Sequence, residues 1–232
     1  PLSAAAWDRK LLTAEEIAVI VPISESVIAD ASIDVVGKVT ELIGQEFARV
    51  IDAAAFFGTG APATWPTGGI YGVANTATQT VAATDVPATD FNALFQILET
   101  AGYDPTDVYA GRTLKALLHG QLDGNGPPIY NPRHGAGSYG TLYGVPLGYP
   151  LGWSAATADA LAIDDSGLML GLRQDVTIKM LSEATLTGFG NLAEKDSVAV
   201  RAVMRVGFQI ANPVSLDTGT QVYPVAALTP KV

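Results

Sequence analysis

The chain contains no cysteine, and this absence excludes several kinds of chemistry at once. Disulfide bonds, thiolate metal sites and cysteine nucleophiles all need a side chain that the protein does not have. The sequence also lacks any uninterrupted apolar run of about 18 residues, so it predicts no membrane-spanning helix. Its first residues, Pro1-Leu2-Ser3, have no initiating methionine and no basic-then-apolar signal region. We therefore expect the natural N-terminus to be missing from this sequence.

Charged residues are scarce as well. They make up 16% of the 232 residues, whereas about a quarter is usual in globular domains. Lys and Arg number 13 against 23 Asp and Glu, which leaves a net charge of −10. This balance argues against a reader of nucleic acid, because such proteins carry a basic surface. An acidic chain repels DNA, and the low charged fraction favours an obligate oligomer.

The side chains that usually carry catalysis are few. His119 and His134 are the only histidines. Ser138, His134 and Asp123 would make a catalytic triad, so a hydrolase is kept as an alternative. However, no serine stands in the Gly-x-Ser-x-Gly sequence of a nucleophile elbow. We expect His119 at a helix end and His134 in an exposed loop, and we predict no catalytic residues.

Glycine-rich and aspartate-rich segments also invite ligand-binding interpretations. Gly58-Thr59-Gly60 lacks the Gly-Lys-Ser/Thr end of a phosphate loop, and we interpret it as a helix stop. Asp164-Asp165 and Asp123-Gly124-Asn125-Gly126 lack the EF-hand spacing with its terminal glutamate, so we interpret both as turns. The sequence therefore predicts no metal site and no cofactor-binding site.

Two further groups of residues admit either a structural or a binding interpretation. The Gly/Pro-rich loop 123–152 contains four tyrosines: Tyr130, Tyr139, Tyr143 and Tyr149. They would form a stacking platform for bases or sugars, as in a carbohydrate-binding protein, or pack at a subunit contact. The shortage of nearby cations favours packing. Arg201 and Arg205 would make surface salt bridges or pair with acids of a neighbouring subunit.

The clearest secondary-structure pattern predicts an amphipathic helix over 33–57, roughly 37 Å long. Its apolar residues recur at steps of three and four and form one stripe. They are Val36, Val39, Ile43, Phe47, Val50 and Ala54. Lys38, Glu41, Gln45, Arg49 and Asp52 are expected on the opposite side. Gly58 and Gly60 end the helix, and Pro62 prevents its resumption.

Other segments predict shorter elements on either side of this helix. The expected helices are a short one from Ser24 to Ala29, Asp90–Ala101 with Thr89 or Asp90 as its cap, and Arg112–Leu122 with Leu114, Leu117 and Leu118 inward. The expected strands are Ile17–Ile23, Ile70–Val73, Val108–Ala110, Leu142–Val145, Ala160–Asp164, Leu168–Leu172, Val176–Leu181, Val198–Ile210 and Gln221–Ala227. Thr76–Thr89 is expected to be exposed. The strand Val198–Ile210 would span roughly 43 Å.

The succession of these parts resembles the major capsid proteins of tailed bacteriophages with the HK97 fold. No single motif decides this resemblance, which covers nearly all of the chain in family order. The matching pieces are Ile17–Asp30, the helix 33–57, Gly58–Ile70 with its Pro66-Thr67-Gly68-Gly69-Ile70 end, Asp90–Ala101, Tyr143–Leu147, and Lys195–Ala202 leading to Asn212-Pro213.

The resemblance implies an α+β fold with a long spine helix, a peripheral domain with a long β-sheet, and a mixed α/β axial domain. We expect the peripheral domain in 17–87 plus 176–212 and the axial domain in 88–175 plus 213–232. Residues 1–21 would be the remnant of the extended hairpin that precedes the spine helix in the family. Some relatives join subunits by a Lys–Asn isopeptide bond. The acceptor would align near Asp196 and the donor hairpin is absent, so we expect no such cross-link.

The resemblance also implies partners. Copies of the chain would form the hexamers and pentamers of an icosahedral shell that encloses double-stranded DNA without sequence-specific binding. Portal, scaffold and cement or decoration proteins would accompany it in the virion, which would be assembled in the host cytoplasm. An encapsulin-type nanocompartment shell is the alternative within the same fold. Genomic neighbours would separate the two.

Overall fold

The computed structural model describes residues 9–122, 126, 128–132, 140–215 and 221–231. Its helices are α1 (Glu25–Asp30), α2 (Val35–Phe57), α3 (Gly69–Thr76), α4 (Pro87–Thr100) and α5 (Arg112–Leu118). Its strands are β1 (Glu15–Ser24), β2 (Thr80–Ala82), β3 (Asp107–Ala110), β4 (Tyr130–Asn131), β5 (Gly140–Leu142), β6 (Val145–Gly148), β7 (Ala160–Ile163), β8 (Leu168–Leu181), β9 (Thr185–Leu186), β10 (Gly190–Asn191), β11 (Ser197–Ile210), β12 (Val214–Ser215), β13 (Gln221–Val222) and β14 (Val225–Thr229). Short 3₁₀ turns lie at Asp165–Gly167 and Ala193–Lys195.

The described residues fall into two compact units. The smaller unit comprises Thr13–Arg49 and Leu170–Gly207. The larger unit comprises Val50–Met169 with the described residues of the segments that end at Leu12 and begin at Phe208. These bounds differ from those expected of peripheral and axial domains, because α2, β8 and β11 each contribute residues to both units. The assignment of the units to those domains stays a prediction.

The smaller unit is a three-stranded sheet, in the order β1-β11-β8, covered by the first part of α2. β1 and β11 pair antiparallel from Glu15↔Val206 to Ser24↔Ser197. This register places the odd-numbered apolar residues of β1 beside the even-numbered ones of β11. Ile23, Val200 and Ala202 are buried there against the α2 residues Ile43 and Phe47. The predicted stripe of α2 is therefore confirmed over its first half.

The larger unit is built on a seven-stranded sheet in the order β2-β14-β7-β3-β6-β5-β4. The β14–β2 and β3–β6 pairs are parallel, and the other neighbours are antiparallel. α4 and α5 bury their apolar faces in its core. Every residue of β7 and the first four of β14 are buried, so these short strands read as continuous apolar runs rather than as alternating ones.

α2 ends in a turn that contains two glycines with positive φ. Gly58 has φ +67° and Gly60 has φ +69°, which confirms the predicted helix stop. The Gly58 and Thr59 amides return to the carbonyls of Ala54 and Ala53 at 2.9 and 3.2 Å. Asp52, predicted on the solvent side, is instead half-buried and accepts the Leu151 N–H at 3.1 Å.

The predicted strand Ile70–Val73 is wrong, because this segment belongs to α3. Ile70 and Ala74 are buried one helical turn apart, and Thr76 Oγ1 donates to the Gly72 carbonyl at 2.8 Å. β-branched Ile70 and Val73 suggest a strand, but packing of one helical face overrides that weak preference. The expected exposure of Thr76–Thr89 is also wrong in part, because β2 pairs with β14 there.

The predicted break in β8 at Gln174-Asp175 is also wrong. β8 continues through it for 14 residues. Neither Gly nor Pro stands there to require a turn, and Asp175 Oδ1 accepts the Val176 N–H at 2.7 Å without ending the strand.

Four smaller elements differ from expectation for local reasons. The strand expected at Leu142–Val145 is a hairpin, because Tyr143 (φ +50°) and Gly144 (φ +89°) form its two-residue turn. α5 ends at Leu118 before Gly120 (φ +82°), and Leu117 faces solvent. Asp90 does not cap α4, which begins at Pro87; its carboxylate instead accepts the Thr84 N–H and hydroxyl at 2.8 and 2.7 Å. Pro224 divides the last predicted strand into β13 and β14.

Gln79 is buried and ties β13 and β14 to the start of β2. Its Nε2 donates to the carbonyls of Tyr223 and Val225, each at 2.9 Å, and its Oε1 accepts the Tyr223 N–H at 2.8 Å. We expect Gln79→Ala to lower the free energy of unfolding by about 2–4 kcal/mol, because it strands these buried backbone groups. Urea unfolding of the unassembled chain would measure it. Gln96→Ala, at an exposed position of α4, is the control and should change stability by less than about 0.5 kcal/mol. Equal effects of the two variants would contradict the hydrogen-bond argument.

No helix in the described part of the chain is both long and apolar enough to cross a membrane.

Candidate assembly surface

β8 forms an edge of the three-stranded sheet and presents apolar side chains to solvent. β11 pairs with one of its sides, and no strand of the described residues pairs with the other. Six apolar residues along β8 are between 37% and 65% exposed: Met169, Leu170, Leu172, Val176, Ile178 and Met180. An unpaired, long and apolar edge is a template for pairing with another chain, and monomeric proteins usually protect such edges.

The two faces of this sheet differ in character near β8. Thr177 and Lys179 line a groove with Glu16 and Arg201, which lie on the face away from α2. Strand alternation therefore directs Ile178 and Met180 to the face that α2 covers. α2 packs over β1 and β11 and leaves these β8 side chains uncovered. The sequence shows that β8 contains apolar residues. Whether their side chains are exposed depends on the position of α2 over the sheet.

The groove beside β8 holds two cationic side chains, Lys179 and Arg201, and one carboxylate, Glu16. Arg201 Nη2 lies 4.0 Å from Glu16 Oε1, and both side chains are about half exposed, so the pair contributes little to stability. Arg205 has its Nε buried without a hydrogen-bond partner among the described residues. The salt-bridge interpretation thus applies to Arg201, and pairing with a neighbour's acids stays a prediction.

The described tyrosines of the 123–152 loop do not form a row of exposed rings. Tyr130 is buried in the core of the larger unit, and its ring meets His119 edge-on with centroids 5.4 Å apart. Tyr143 packs on Phe95 at 6.3 Å. Burial, and next the nearby Tyr130 phenol, raise the pKa of the Tyr149 hydroxyl. These contacts support packing over ligand stacking.

Within the described residues, the structure does not bring the candidate catalytic side chains together. Asp123, His134, Ser138 and Tyr139 lie outside them. His119 follows the last residue of α5, as expected. Asp164 accepts the Ser166 N–H and hydroxyl at 3.0 and 2.6 Å and forms the predicted turn. Nowhere in 9–122, 128–132, 140–215 and 221–231 do three His, Asp or Glu side chains converge as a metal site would require.

The larger unit contains a cavity of about 420 Å³ that the sequence analysis did not predict. Two carboxylates line it: Asp52 from α2 and Asp107 from β3. Burial raises the pKa of Asp52, against hydrogen bonds from the Leu151 and Gly152 amides. Burial and the neighbouring Asp165 carboxyl raise the pKa of Asp107 to about 6. Only the period of α2, which puts Asp52 and Phe56 one turn apart, hints at this site in the sequence.

Comparison with known proteins identifies the family. The model of the phage capsid family matches residues 1–220. A solved structure from Microbacterium phage Oxtober96 shares 40% identity over 99% of this chain and 77% of its own, with a TM-score of 0.83. One from Mycobacterium phage Cain shares 30% identity over 100% of this chain and 77% of its own, with a TM-score of 0.82. A search of curated proteins finds no match.

More distant structures share the fold. The capsid of a native GTA particle is 17% identical over 100% of this chain and 78% of its own, with a TM-score of 0.64. The predicted fold class is therefore confirmed, and the family is one of structural shell proteins rather than enzymes. Its subunits assemble with copies of themselves as components of the virion capsid. The chain thus belongs to the phage capsid family: it is a structural major capsid protein with the HK97 fold.

Proposed function

We propose that copies of this chain form the hexamers and pentamers of an icosahedral head that encloses double-stranded DNA, and that the β8 edge is one of their contacts. The observation that carries the contact is the exposed apolar edge Leu170–Met180. A patch of this kind marks a protein–protein interface. Burying it against a neighbour would satisfy both its apolar side chains and its unpaired backbone groups.

The proposal also covers the interaction between the shell and the enclosed DNA. The subunit has a net charge of −10. It would therefore repel packed DNA rather than bind it in a sequence-specific way. Scaffold, portal and decoration proteins would join the shell during assembly in the host cytoplasm. The smaller unit would belong to the peripheral domain, and the seven-stranded sheet of the larger unit to the axial domain. No catalytic step and no cofactor are assigned.

Electron microscopy of the full gene product tests this function. Particles of uniform diameter that protect double-stranded DNA from nuclease, when purified from infected host cells, are the expected result. Uniform shells that hold a protein cargo and no DNA would replace this proposal with the encapsulin-type alternative. A product that stays monomeric at high concentration, alone and with its scaffold protein, would contradict shell formation altogether.

A further inference from the structure

The cavity beside Asp52 is lined by one helix, one strand and one further segment of the chain. α2 contributes Asp52 and Phe56, one helical turn apart, and β3 contributes Asp107 and Tyr109, which alternation places on the same face of the strand. Segment 146–151 forms the remaining wall. Each of the two regular elements thus presents one carboxylate and one aromatic ring to the same space.

Glycine at one position allows this arrangement. A Cβ atom on Gly148 would lie 3.0 Å from Cδ1 and 3.1 Å from Cε1 of the Tyr109 ring. Gly148 therefore leaves room for the Tyr109 ring beside β6. The Tyr109 and Phe56 ring centroids are 5.1 Å apart, so the aromatic wall is continuous.

The electrostatics of the cavity are one-sided. No Lys, Arg or His is among the described residues that line it. Asp107 faces a further carboxyl, Asp165. Partly buried carboxylates without a cation are unfavourable, and raised pKa values in a cleft are typical of binding sites. A cation placed here would be attracted by the carboxylates and by the faces of the aromatic rings.

We infer that this cavity binds an alkylguanidinium or alkylammonium group between Asp52, Asp107 and the rings of Phe56 and Tyr109. The group comes from an Arg or Lys side chain of a second copy of this chain, or from a free organic cation of the same chemistry. A planar guanidinium satisfies the site best, because it pairs with a carboxylate in two hydrogen bonds while stacking on a ring. The site lies within one unit of one subunit, so it does not depend on the proposed icosahedral assembly.

Titration of the unassembled full chain with Nα-acetyl-L-argininamide (argininamide below) at pH 7.5 and low salt tests the site itself. Amide chemical shifts of Gly148 and Leu151 report binding. The matched probe is Nα-acetyl-L-citrullinamide (citrullinamide below), whose side-chain urea is neutral; acetylation removes the α-ammonium charge from both probes. We expect saturable binding of argininamide that is about tenfold or more tighter than that of citrullinamide, because the charge-assisted contacts need the cation. Equal binding of the two probes, or no binding of argininamide, would overturn the inference.

Paired variants locate the binding. Asp52→Asn with Asp107→Asn keeps the shape of both side chains and removes their charge, and we expect argininamide binding to weaken about tenfold or more. Asp104→Asn removes a carboxylate that is exposed and does not line the cavity; binding should stay within about twofold of the parent, as expected for a screened surface charge. Unchanged binding in the double variant would overturn the site, even where argininamide binds elsewhere. Should the double variant misfold, the probe comparison on the parent chain still decides.

A cryo-electron microscopy map of the assembled particle distinguishes the sources. An Arg or Lys side chain of a neighbouring subunit inside the cavity supports the second copy as the source. A cavity that no neighbour enters, together with argininamide binding in solution, supports a free cation. An acidic or apolar side chain of a neighbour in the cavity would contradict the inference. Particles that form from a chain that does not bind argininamide would refute this site and leave the shell function intact.

Discussion

Gly69→Ala is expected to lower the free energy of unfolding by about 3–5 kcal/mol, which is enough to unfold many single domains. Gly69 has φ +63°, and a Cβ atom there would come within 2.7 Å of the Gly58 nitrogen and still closer to the Ala55 carbonyl oxygen. Both neighbours are backbone, so neither can rotate away as a side chain would. The left-handed conformation adds about 1–2 kcal/mol to the steric cost.

The control for this variant lies nine residues upstream. Gly60 has nearly the same φ, +69°, but a Cβ atom there meets nothing within 4 Å. Gly60→Ala should therefore cost only the conformational term, about 1–2 kcal/mol. Urea unfolding of the unassembled variants, followed by tryptophan fluorescence, would measure both. Similar losses at Gly69 and Gly60 would show that close packing of the turn does not matter.

Gly69→Ala is expected to have a large effect because the turn that ends α2 packs closely against the turn that begins α3. A Cβ atom on Gly58 would lie 2.6 Å from the Gly68 Cα, and one on Gly68 would lie 2.9 Å from the Gly72 Cα. The end of α2 thus contacts the start of α3 backbone against backbone. This corner fixes the direction in which the chain leaves the long helix, and glycine is required wherever the two backbones touch.

Leu172→Lys combined with Ile178→Lys is expected to prevent assembly while the subunit still folds. Both positions are exposed in the isolated chain, 54% and 42% respectively, so lysine there costs little stability. In an interface the same ammonium groups would be buried without partners, which costs about several kcal/mol per ion. Lysine on an edge strand is also a device by which proteins block edge pairing.

Sedimentation velocity and electron microscopy of the full gene product would measure this effect. We expect parent protein in particles and the double variant in small soluble species with native circular dichroism. Gln45→Lys combined with Gln96→Lys adds the same charge at exposed helical positions and should assemble normally. If the β8 double variant formed particles of the parent diameter, the proposal that the β8 edge is a subunit contact would be wrong.

Residue patterns were sufficient for α2 and β11. The apolar stripe of α2 and the alternation of β11 repeat over many residues, so each pattern specifies its element and its buried face. Predictions failed where local preference and packing disagree. Ile70–Val73 is β-branched and yet helical, and Gln174-Asp175 looks like a turn and yet continues a strand. Such segments take the conformation that buries the right face in the finished core.

The sequence by itself determined α2, β11, their order in the chain and the absence of cysteine chemistry, because composition and period are local properties of the chain. The family resemblance followed from the order of the matching segments. Only the tertiary structure decided which apolar side chains stay exposed on β8, because this depends on where α2 lies over the sheet. It alone placed Asp52 and Asp107, 55 positions apart in the chain, in one cavity. Contacts between residues so far apart are set by how helices and sheets pack, and no local pattern records them.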